Sequence, residues 1–331
     1  MSQFTSPPEW DKAISAITES SSVLLLAHVT PDADALGSAL GLGLALQSLG
    51  KKVQVSVGEP GFTTPKSLIF LPGTELICAP EDLNHADLVI SCDVSSDARL
   101  GSGKSILDAA KVSIAIDHHP SFTGFGTIHL VDPEAAATAE IVLELMDRLD
   151  LQITKEIAGA IYSGLTTDTG SFKFQSTTSH TLRMAARLLD TGIDSARLAR
   201  LLFDDEPLAA LVMMGDAVSR ANLISEVAQG RGLVYTSVSI AQRKGLDELA
   251  VERVIEALRK TSEAEVAAVF KQADDGHWKV SLRSKTKIDV GAIAIALGGG
   301  GHKYASGYSS IGDLNQTVEE LIDSLNAVSN S

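Results

Sequence analysis

The chain has only two cysteines, Cys78 and Cys92, among its 331 residues. Two thiols are too few for a disulfide framework or a thiolate metal site. Cys92 lies inside an apolar run, where a small buried thiol is the expected state. Thiol chemistry is therefore set aside as a basis for function.

Long apolar runs are also missing. No stretch approaches eighteen uninterrupted apolar residues, and the opening MSQFTSPPEWDK lacks the basic-then-apolar order of a secretory signal. These two absences predict a cytoplasmic protein that does not associate with a membrane.

Basic residues are scarce, with 27 Lys and Arg against 42 Asp and Glu. The imbalance belongs to residues 1–221, which hold 15 basic and 28 acidic residues, whereas residues 222–331 hold 12 and 14. A long nucleic acid needs a basic stripe that neutralises its phosphates, so we expect no such partner. The net negative charge does not exclude short anionic substrates.

The apolar runs that are present are short, rich in β-branched residues and spaced for crossover helices. Four of them occupy the first part of the chain: VLLLA (23–27), VQVSV (53–57), LVISC (88–92) and VSIAI (112–116). Helical patterns follow at 35–49, 135–149, 155–166 and 178–190. This alternation predicts an α/β fold, with a mainly parallel sheet and helices on both faces.

The length of the chain favours two domains, each with its own core. An acidic break at Asp204-Asp205-Glu206-Pro207 separates helical pieces and predicts a connector. We expect a first domain in residues 1–195, a connector in 196–221 and a smaller α/β domain in 222–331. Strand-like segments of the second domain lie at 232–239, 265–272 and 277–285, before a last helix near 313–327.

Three strands of the first domain end in side chains that can bind a metal. His28 follows VLLLA, Asp93 follows LVISC, and Asp117-His118-His119 follows VSIAI. The carboxyl ends of parallel strands meet at one edge of a sheet, where such folds bind their ligands. We therefore expect these residues to converge.

Three more acids accompany them, because Asp32 and Asp34 lie in the loop after the first strand and Asp168 lies in GLTTDTGSF. Carboxylates and imidazoles without a thiolate suit Mn2+, with Mg2+, Zn2+ or Co2+ as alternatives. The donors are too many for one small cation, which favours two cations bridged by a carboxylate. Each residue alone is more often structural, and Asp34 could cap the 35–49 helix. Their joint occurrence favours a metal centre.

The ordered set HxxPDxD, a strand-end Asp, DHH and a later Asp in TTDTG resembles the DHH phosphoesterase superfamily. The segment GGGGHKYASG narrows the resemblance to members with a DHH-associated C-terminal domain. Within that group, the chain most resembles the bacterial oligoribonucleases that also act as 3′-phosphoadenosine-5′-phosphate phosphatases. The resemblance covers about residues 10–327.

This resemblance implies a role for each side chain. Two Mn2+ ions per chain would be held by His28, Asp32, Asp34, Asp93, His118 and Asp168. Asp93 would bridge the two ions, and water activated between them would attack the phosphate. Asp117 would orient an imidazole, and His119 would face that water or the scissile phosphate.

The second domain contributes the predicted substrate contacts. In HWKVSLRSKTK the period of two places the basic residues on one strand face, together with Ser281: Lys279, Arg283, Lys285 and Lys287. Arg283 is the expected phosphate ligand, because its planar fork donates two hydrogen bonds. The glycine run at 298–301 is expected to be a loop whose amides approach an anion. The resemblance assigns substrate binding to Gly300, Gly301, His302 and Lys303.

Three interpretations of function stay open. The first is a manganese-dependent phosphoesterase acting on short RNA, linear dinucleotides and 3′-phosphoadenosine-5′-phosphate. The second opens cyclic dinucleotides such as cyclic di-AMP with the same metals. The third, from another class, is a nucleotide sensor without catalysis. A sensor is expected to have lost some of the metal ligands, whereas all six proposed ligands are present in this sequence.

Three further points are undecided by the sequence. Arg99 is either a substrate contact or part of a surface ion pair. His180 either contacts substrate or begins a helix. A homodimer through the first domain or the connector is compatible with the sequence.

Overall fold

Residues 7–328 are described in the computed structural model of the protein, and the chain divides into two units between Asp205 and Glu206. The division lies within the connector expected at 196–221. Compact units do not by themselves locate functions, so the functional limits at 195 and 222 stay predictions.

The first unit is built on a parallel sheet. Its strands within the described residues are β1 (Ser22–Ala27), β2 (Lys52–Ser56), β3 (Leu88–Cys92), β4 (Ser113–Asp117) and β5 (Ile128–Val131). Their order is β2-β1-β3-β4-β5, and every neighbouring pair is parallel. All residues of β3 and β4 are buried, so both faces of the sheet are covered. The predicted α/β fold is confirmed.

Helices and turns connect these strands. The α-helices of the first unit are α1 (Pro7–Glu19), α2 (Ala33–Ser48), α3 (Gly103–Ala109), α4 (Thr138–Arg148), α5 (Lys155–Asp168), α6 (Ser179–Asp190) and α7 (Ser195–Ala199). Short 3-10 turns span Thr74–Leu76, Pro80–Asp82 and Asp97–Leu100, and a π-helical turn spans Arg200–Asp204. None of the described helices is both long and apolar enough to cross a membrane.

Helices α2 and α5 pack closely because glycines remove the side chains between them. A Cβ on Gly37 of α2 would lie 2.4 Å from the carbonyl oxygen of Ala160. A Cβ on Gly164 of α5 would lie 2.6 Å from Asp34 Oδ1 and 2.9 Å from Asp34 Cα. The two helix backbones therefore approach each other at a distance that larger residues would prevent.

The second unit is built on a mixed sheet. Its described strands are β6 (Asn222–Ile224), β7 (Leu233–Val238), β8 (Val266–Gln272), β9 (Trp278–Ser284), β10 (Gly300–His302) and β11 (Ala305–Ser310). The order is β10-β11-β9-β8-β7-β6, in which only β7 and β8 pair in parallel. The expected smaller α/β unit is thus present.

The helical segments of the second unit accompany two apolar clusters. They are α8 (Leu208–Ser219), the short turn α9 (Val227–Gly230), α10 (Ile240–Arg243), α11 (Glu248–Leu258), α12 (Val290–Ala296) and α13 (Leu314–Val328). One cluster joins α8 and α11 to the sheet through residues such as Met213, Val254 and Val269. The other joins α12 and α13 to it through Ile293, Leu321 and Phe270.

Candidate metal centre

The predicted ligands converge where the strand order of the first sheet reverses. Strands β1 and β3 are neighbours, yet β2 lies on the other side of β1, so the crossovers leave in opposite directions. Open α/β sheets bind ligands outside the carboxyl ends of strands at such a point. His28 directly follows β1, Asp93 directly follows β3, and Asp117 ends β4.

Two histidines each place their Nδ1 atom next to a backbone carbonyl oxygen. His28 Nδ1 lies 2.9 Å from Val29 O, and His118 Nδ1 lies 3.2 Å from Ala135 O. A carbonyl accepts a hydrogen bond, so the Nδ1–H tautomer satisfies each contact and leaves the Nε2 lone pair for a cation. Both Nε2 atoms face carboxylates, as a metal site requires.

Asp93 lies between these imidazoles. Its Oδ2 is 3.7 Å from His28 Nε2, and its Oδ1 is 3.5 Å from His118 Nε2. The residue is 2% exposed and adopts φ +61°, a left-handed conformation that is uncommon for a residue with a side chain. One carboxylate therefore presents a separate oxygen to each half of the centre, which is the arrangement of a bridging ligand.

The two acids of the first loop have different local roles. Asp32 is the N-cap of α2, and its Oδ1 accepts hydrogen bonds from the amides of Asp34 and Ala35 at 3.0 Å. Asp34 does not cap this helix. Its carboxylate instead accepts the amides of Thr138 and Ala139 at 2.7 and 3.0 Å, and so caps α4. Asp34 Oδ2 lies 3.9 Å from His118 Nε2.

The last predicted ligand comes from the end of α5. Asp168 Oδ2 is 3.1 Å from His118 Nε2, and its side chain is 20% exposed. The close packing of α2 and α5 brings Asp34 and Asp168 to the same imidazole. All six side chains predicted as metal ligands are therefore within one region of the first unit.

Charge interactions in this cluster are strong because it is buried. Burial, followed by the charges of Asp93 and Asp168, raises the pKa of Asp34 well above its usual value. Burial alone would raise the pKa of Asp93 too, but the facing imidazoles of His28, His119 and His118 lower it. Burial opposes protonation of His118, yet the adjoining carboxylates raise its pKa. Bound cations would relieve this repulsion between carboxylates.

The donor atoms fit two overlapping cation sites. One set, His28, Asp32 and Asp93, and another, Asp34, Asp93 and His118, each present one ligand atom per residue within 4.8 Å of the others. Asp93 belongs to both sets, and Asp168 adjoins the second. The assignment of individual ligands to individual ions stays a prediction.

Asp117 and His119 form a hydrogen-bonded pair beside the cluster. Asp117 is fully buried and its Oδ1 lies 2.7 Å from His119 Nδ1. Asp117 thus orients His119 and not the neighbouring His118, whose Nδ1 contacts the carbonyl oxygen of Ala135. His119 remains partly accessible, with 16% of its side chain exposed.

Basic side chains on the expected face of the second unit form ion pairs with acidic side chains. Lys279 and Arg283 lie on β9, and helix α11 presents a glutamate at every fourth residue to that strand. Lys279 Nζ is 3.1 Å from Glu248 Oε1, and Arg283 Nε is 3.0 Å from Glu256 Oε1. Lys279 and Arg283 thus lie on one strand as predicted, but opposite charges pair with them across the helix and the sheet.

Two other lysines lie outside the predicted strand face. Strand β9 ends at Ser284, so the period of two does not extend to Lys285 or Lys287. Lys285 Nζ donates to the carbonyl oxygen of Thr261, and the backbone amide of Lys287 donates to Glu265.

The glycine run is only partly a loop. Gly298 and Gly299 follow helix α12, and their amides donate to the carbonyl oxygens of Ile295 and Ala294 at 3.0 and 2.7 Å. Gly300, Gly301 and His302 form edge strand β10, paired with β11, so the expected loop was wrong for Gly300 and Gly301. Lys303 follows in the hairpin turn. Their role in substrate binding stays a prediction, as does that of Arg283.

A stability measurement separates the two roles of Arg283. We expect Arg283→Met to lower the free energy of unfolding of the protein by about 1–2 kcal/mol, because Glu252 and Glu256 lose a partially buried partner. Urea denaturation measures this change. Lys279→Met is the control, since its more exposed pair should contribute less than about 1 kcal/mol. Unchanged stability together with weakened nucleotide binding would contradict the structural role.

Several supporting residues were missed by the sequence analysis. Thr138 donates its hydroxyl to Asp93 Oδ1 at 2.9 Å while its amide binds Asp34, so one residue positions both carboxylates. Nothing in the local sequence distinguishes it. Gly164 did carry a signal, because a glycine inside a helical pattern is costly unless close packing requires it.

Two known protein families match the chain, one in each of its two units. The model of the DHH family N-terminal domain matches residues 22–165, and the model of the DHHA1 domain matches residues 230–330. The bifunctional oligoribonuclease and PAP phosphatase NrnA of Thermus thermophilus is 35% identical, over 92% of this chain and 89% of that protein. The probable NrnA of Streptococcus mutans is 28% identical, over 91% and 94%.

A solved structure agrees with this relationship. The exopolyphosphatase-related protein from Bacteroides fragilis superposes with a TM-score of 0.86 at 25% identity, covering 100% of this chain and 99% of that one. These matches show that the chain belongs to the DHH family and carries a DHHA1 domain, and the converging acids and histidines agree with this.

Proposed function

We propose that this chain is a metal-dependent phosphoesterase that hydrolyses short oligoribonucleotides and linear dinucleotides to mononucleotides and converts 3′-phosphoadenosine-5′-phosphate to AMP. The position of Asp93 between two imidazoles carries the proposal, because it fits a carboxylate shared by two cations. The names of the Thermus thermophilus and Streptococcus mutans relatives support the substrate class.

The donor set supports Mn2+ as the metal, since carboxylates and imidazoles suit it and no thiolate is among the proposed ligands. Two such ions, when bound, supply electrostatic stabilisation of the phosphoryl oxygens and lower the pKa of water. Asp93 would hold both, while His28 and Asp32 complete one site and Asp34, His118 and Asp168 complete the other.

His119 is placed to move a proton. Its Nδ1–H is held by Asp117, so proton exchange with a substrate runs through Nε2. Burial lowers the pKa of His119, but the charge and hydrogen bond of Asp117, together with the charge of Asp93, raise it overall. With Nδ1 held by Asp117, Nε2 of His119 is the atom that would exchange a proton with the oxygen that leaves when the P–O bond breaks.

Charge limits the length of the substrate. Residues 1–221 hold 28 acidic against 15 basic residues, so a long phosphate backbone meets net repulsion on that part of the chain. A dinucleotide has few phosphates to place near these acids. We expect the protein to prefer the shortest substrates.

The test is mononucleotide release from diadenylate in the presence of Mn2+. We expect turnover that EDTA abolishes and added Mn2+ restores, and slower release from oligoribonucleotides tens of nucleotides long. Phosphate release from 3′-phosphoadenosine-5′-phosphate and opening of cyclic di-AMP are measured in parallel. Equal rates at all lengths would contradict the charge limit, and binding without turnover of any of these substrates would favour a nucleotide sensor.

A further inference from the structure

Arg99 lies beside the proposed metal centre, and its guanidinium contacts no carboxylate among residues 7–328. It belongs to the 3-10 turn Asp97–Leu100, and its carbonyl accepts the amide of Val29 at 2.8 Å, which fixes the turn next to the loop after β1. Its side chain is exposed. Although residues 1–205 hold 26 acidic against 14 basic residues, no ion pair of Arg99 occurs within the described part of the chain. The alternative of a surface ion pair is therefore not what the structure contains.

The guanidinium of Arg99 instead contacts a predicted metal ligand. Its Nη2 lies 2.8 Å from His28 Nδ1 and 3.4 Å from Val29 O. His28 Nδ1 also lies 2.9 Å from the same Val29 carbonyl. The carbonyl requires a proton on Nδ1, whereas the guanidinium requires a lone pair there, and one nitrogen cannot satisfy both contacts.

A cation on His28 decides between these contacts. If Nε2 binds a cation, the proton of the neutral ring must be on Nδ1, where it is donated to Val29 O. The guanidinium then faces an N–H and loses its acceptor. Cation binding by His28 and donation from Arg99 to His28 therefore exclude each other.

We infer that Arg99 leaves His28 when the centre is loaded with metal and then binds a phosphate group of the substrate. This inference rests on the proposed phosphoesterase function. The guanidinium offers two parallel N–H donors that match phosphate oxygens, and its exposure means that turning towards a ligand requires little desolvation. Its positive charge also offsets the acidic surroundings that a phosphate meets. Arg99 is thus a substrate-positioning residue next to the metals.

The test is the binding of inorganic phosphate to the Mn2+-loaded full-length protein, measured by calorimetry, beside the affinity of the metal-free protein for Mn2+. We expect Arg99→Ala to weaken phosphate binding at least about tenfold, the loss of a charge-assisted hydrogen bond. The phosphate affinity of Arg99→Lys should lie between those of the wild type and Arg99→Ala, because lysine keeps the charge but lacks the two parallel N–H donors. Mn2+ affinity should be unchanged or higher in Arg99→Ala, because the guanidinium no longer competes for His28 Nδ1.

Lys155→Ala is the matched control, since it removes one exposed positive charge from the end of α5 opposite Asp168. Phosphate affinity that is equal in the wild type and Arg99→Ala would overturn the inference. A parallel loss of Mn2+ affinity would also overturn it, because it would show that Arg99 only supports the fold of the site. Phosphate binding that depends on Arg99, in a protein that does not hydrolyse diadenylate, would sustain this inference and refute the proposed function.

Discussion

Asp93→Ala should abolish hydrolysis of diadenylate, with a loss of at least about 10³-fold in kcat/KM. Asp93 presents one oxygen towards His28 and the other towards His118, so its removal takes a ligand from both halves of the centre. It also leaves the hydroxyl of Thr138 without the carboxylate to which it donates. We expect bound Mn2+, measured by equilibrium dialysis and elemental analysis, to fall well below two ions per chain.

Asp108→Ala is the control for this variant. Its carboxylate lies on α3 in an exposed ion pair with Lys104 at 2.7 Å, so removing it should change stability by less than about 1 kcal/mol and leave turnover unaltered. Wild-type Mn2+ content in Asp93→Ala would refute a bridging role, even if activity fell. Near-wild-type turnover would refute a catalytic role altogether.

Gly164→Ala should damage the same centre from a helix that supplies only one ligand. The added methyl would lie 2.6 Å from Asp34 Oδ1 and 2.9 Å from Asp34 Cα, so α2 and α5 must separate. Overpacking of this kind typically costs about 1–3 kcal/mol, which exceeds the gain of roughly 1 kcal/mol from alanine in a helix. We expect at least about tenfold weaker Mn2+ binding and a corresponding loss of turnover, because displaced supporting groups weaken metal sites to that extent.

Gly159→Ala on the same helix separates packing from helix propensity. A Cβ at Gly159 would meet Pro72 Cγ at 3.5 Å and Pro72 Cδ at 3.9 Å, which are ordinary contacts. We expect unchanged Mn2+ affinity and turnover, with stability equal or slightly higher. Excess Mn2+ should restore part of the activity of Gly164→Ala. Identical Mn2+ affinity in the two alanine variants would contradict the close packing of α2 on α5 as the factor that positions Asp34.

The convergence of the candidate metal ligands was predictable because these residues follow a rule that is local in sequence. His28 and Asp93 stand immediately after short apolar strands, and parallel strands bring their carboxyl ends to one edge. The DHH motif adds His118 in the same way. Asp168 was harder to place on physical grounds alone, since its position depends on how α5 packs. It was counted among the candidate donors because it follows a helical pattern in GLTTDTGSF, and the family resemblance implied its role as a ligand.

The second unit was less predictable because its charges pair across elements. The period of two identified the basic side chains of β9, but it contains no information about what covers them. The glutamates of α11 recur at every fourth residue, so that helix could have been recognised from the sequence. Its position over β9 could not, because packing of a helix on a sheet depends on contacts between distant segments.

By itself, the sequence determined the α/β class, the strand ends that carry the candidate ligands and the carboxylate and imidazole chemistry that suits divalent cations. Only the tertiary structure decided that Asp34 caps α4, that Asp117 serves His119, and that Arg99 and Arg283 contact His28 and Glu256. The physical reason is distance along the chain. The hydrophobic period and the residue that follows a strand are read from neighbouring positions. The partner of a polar side chain depends on which distant backbone group or charge packs beside it.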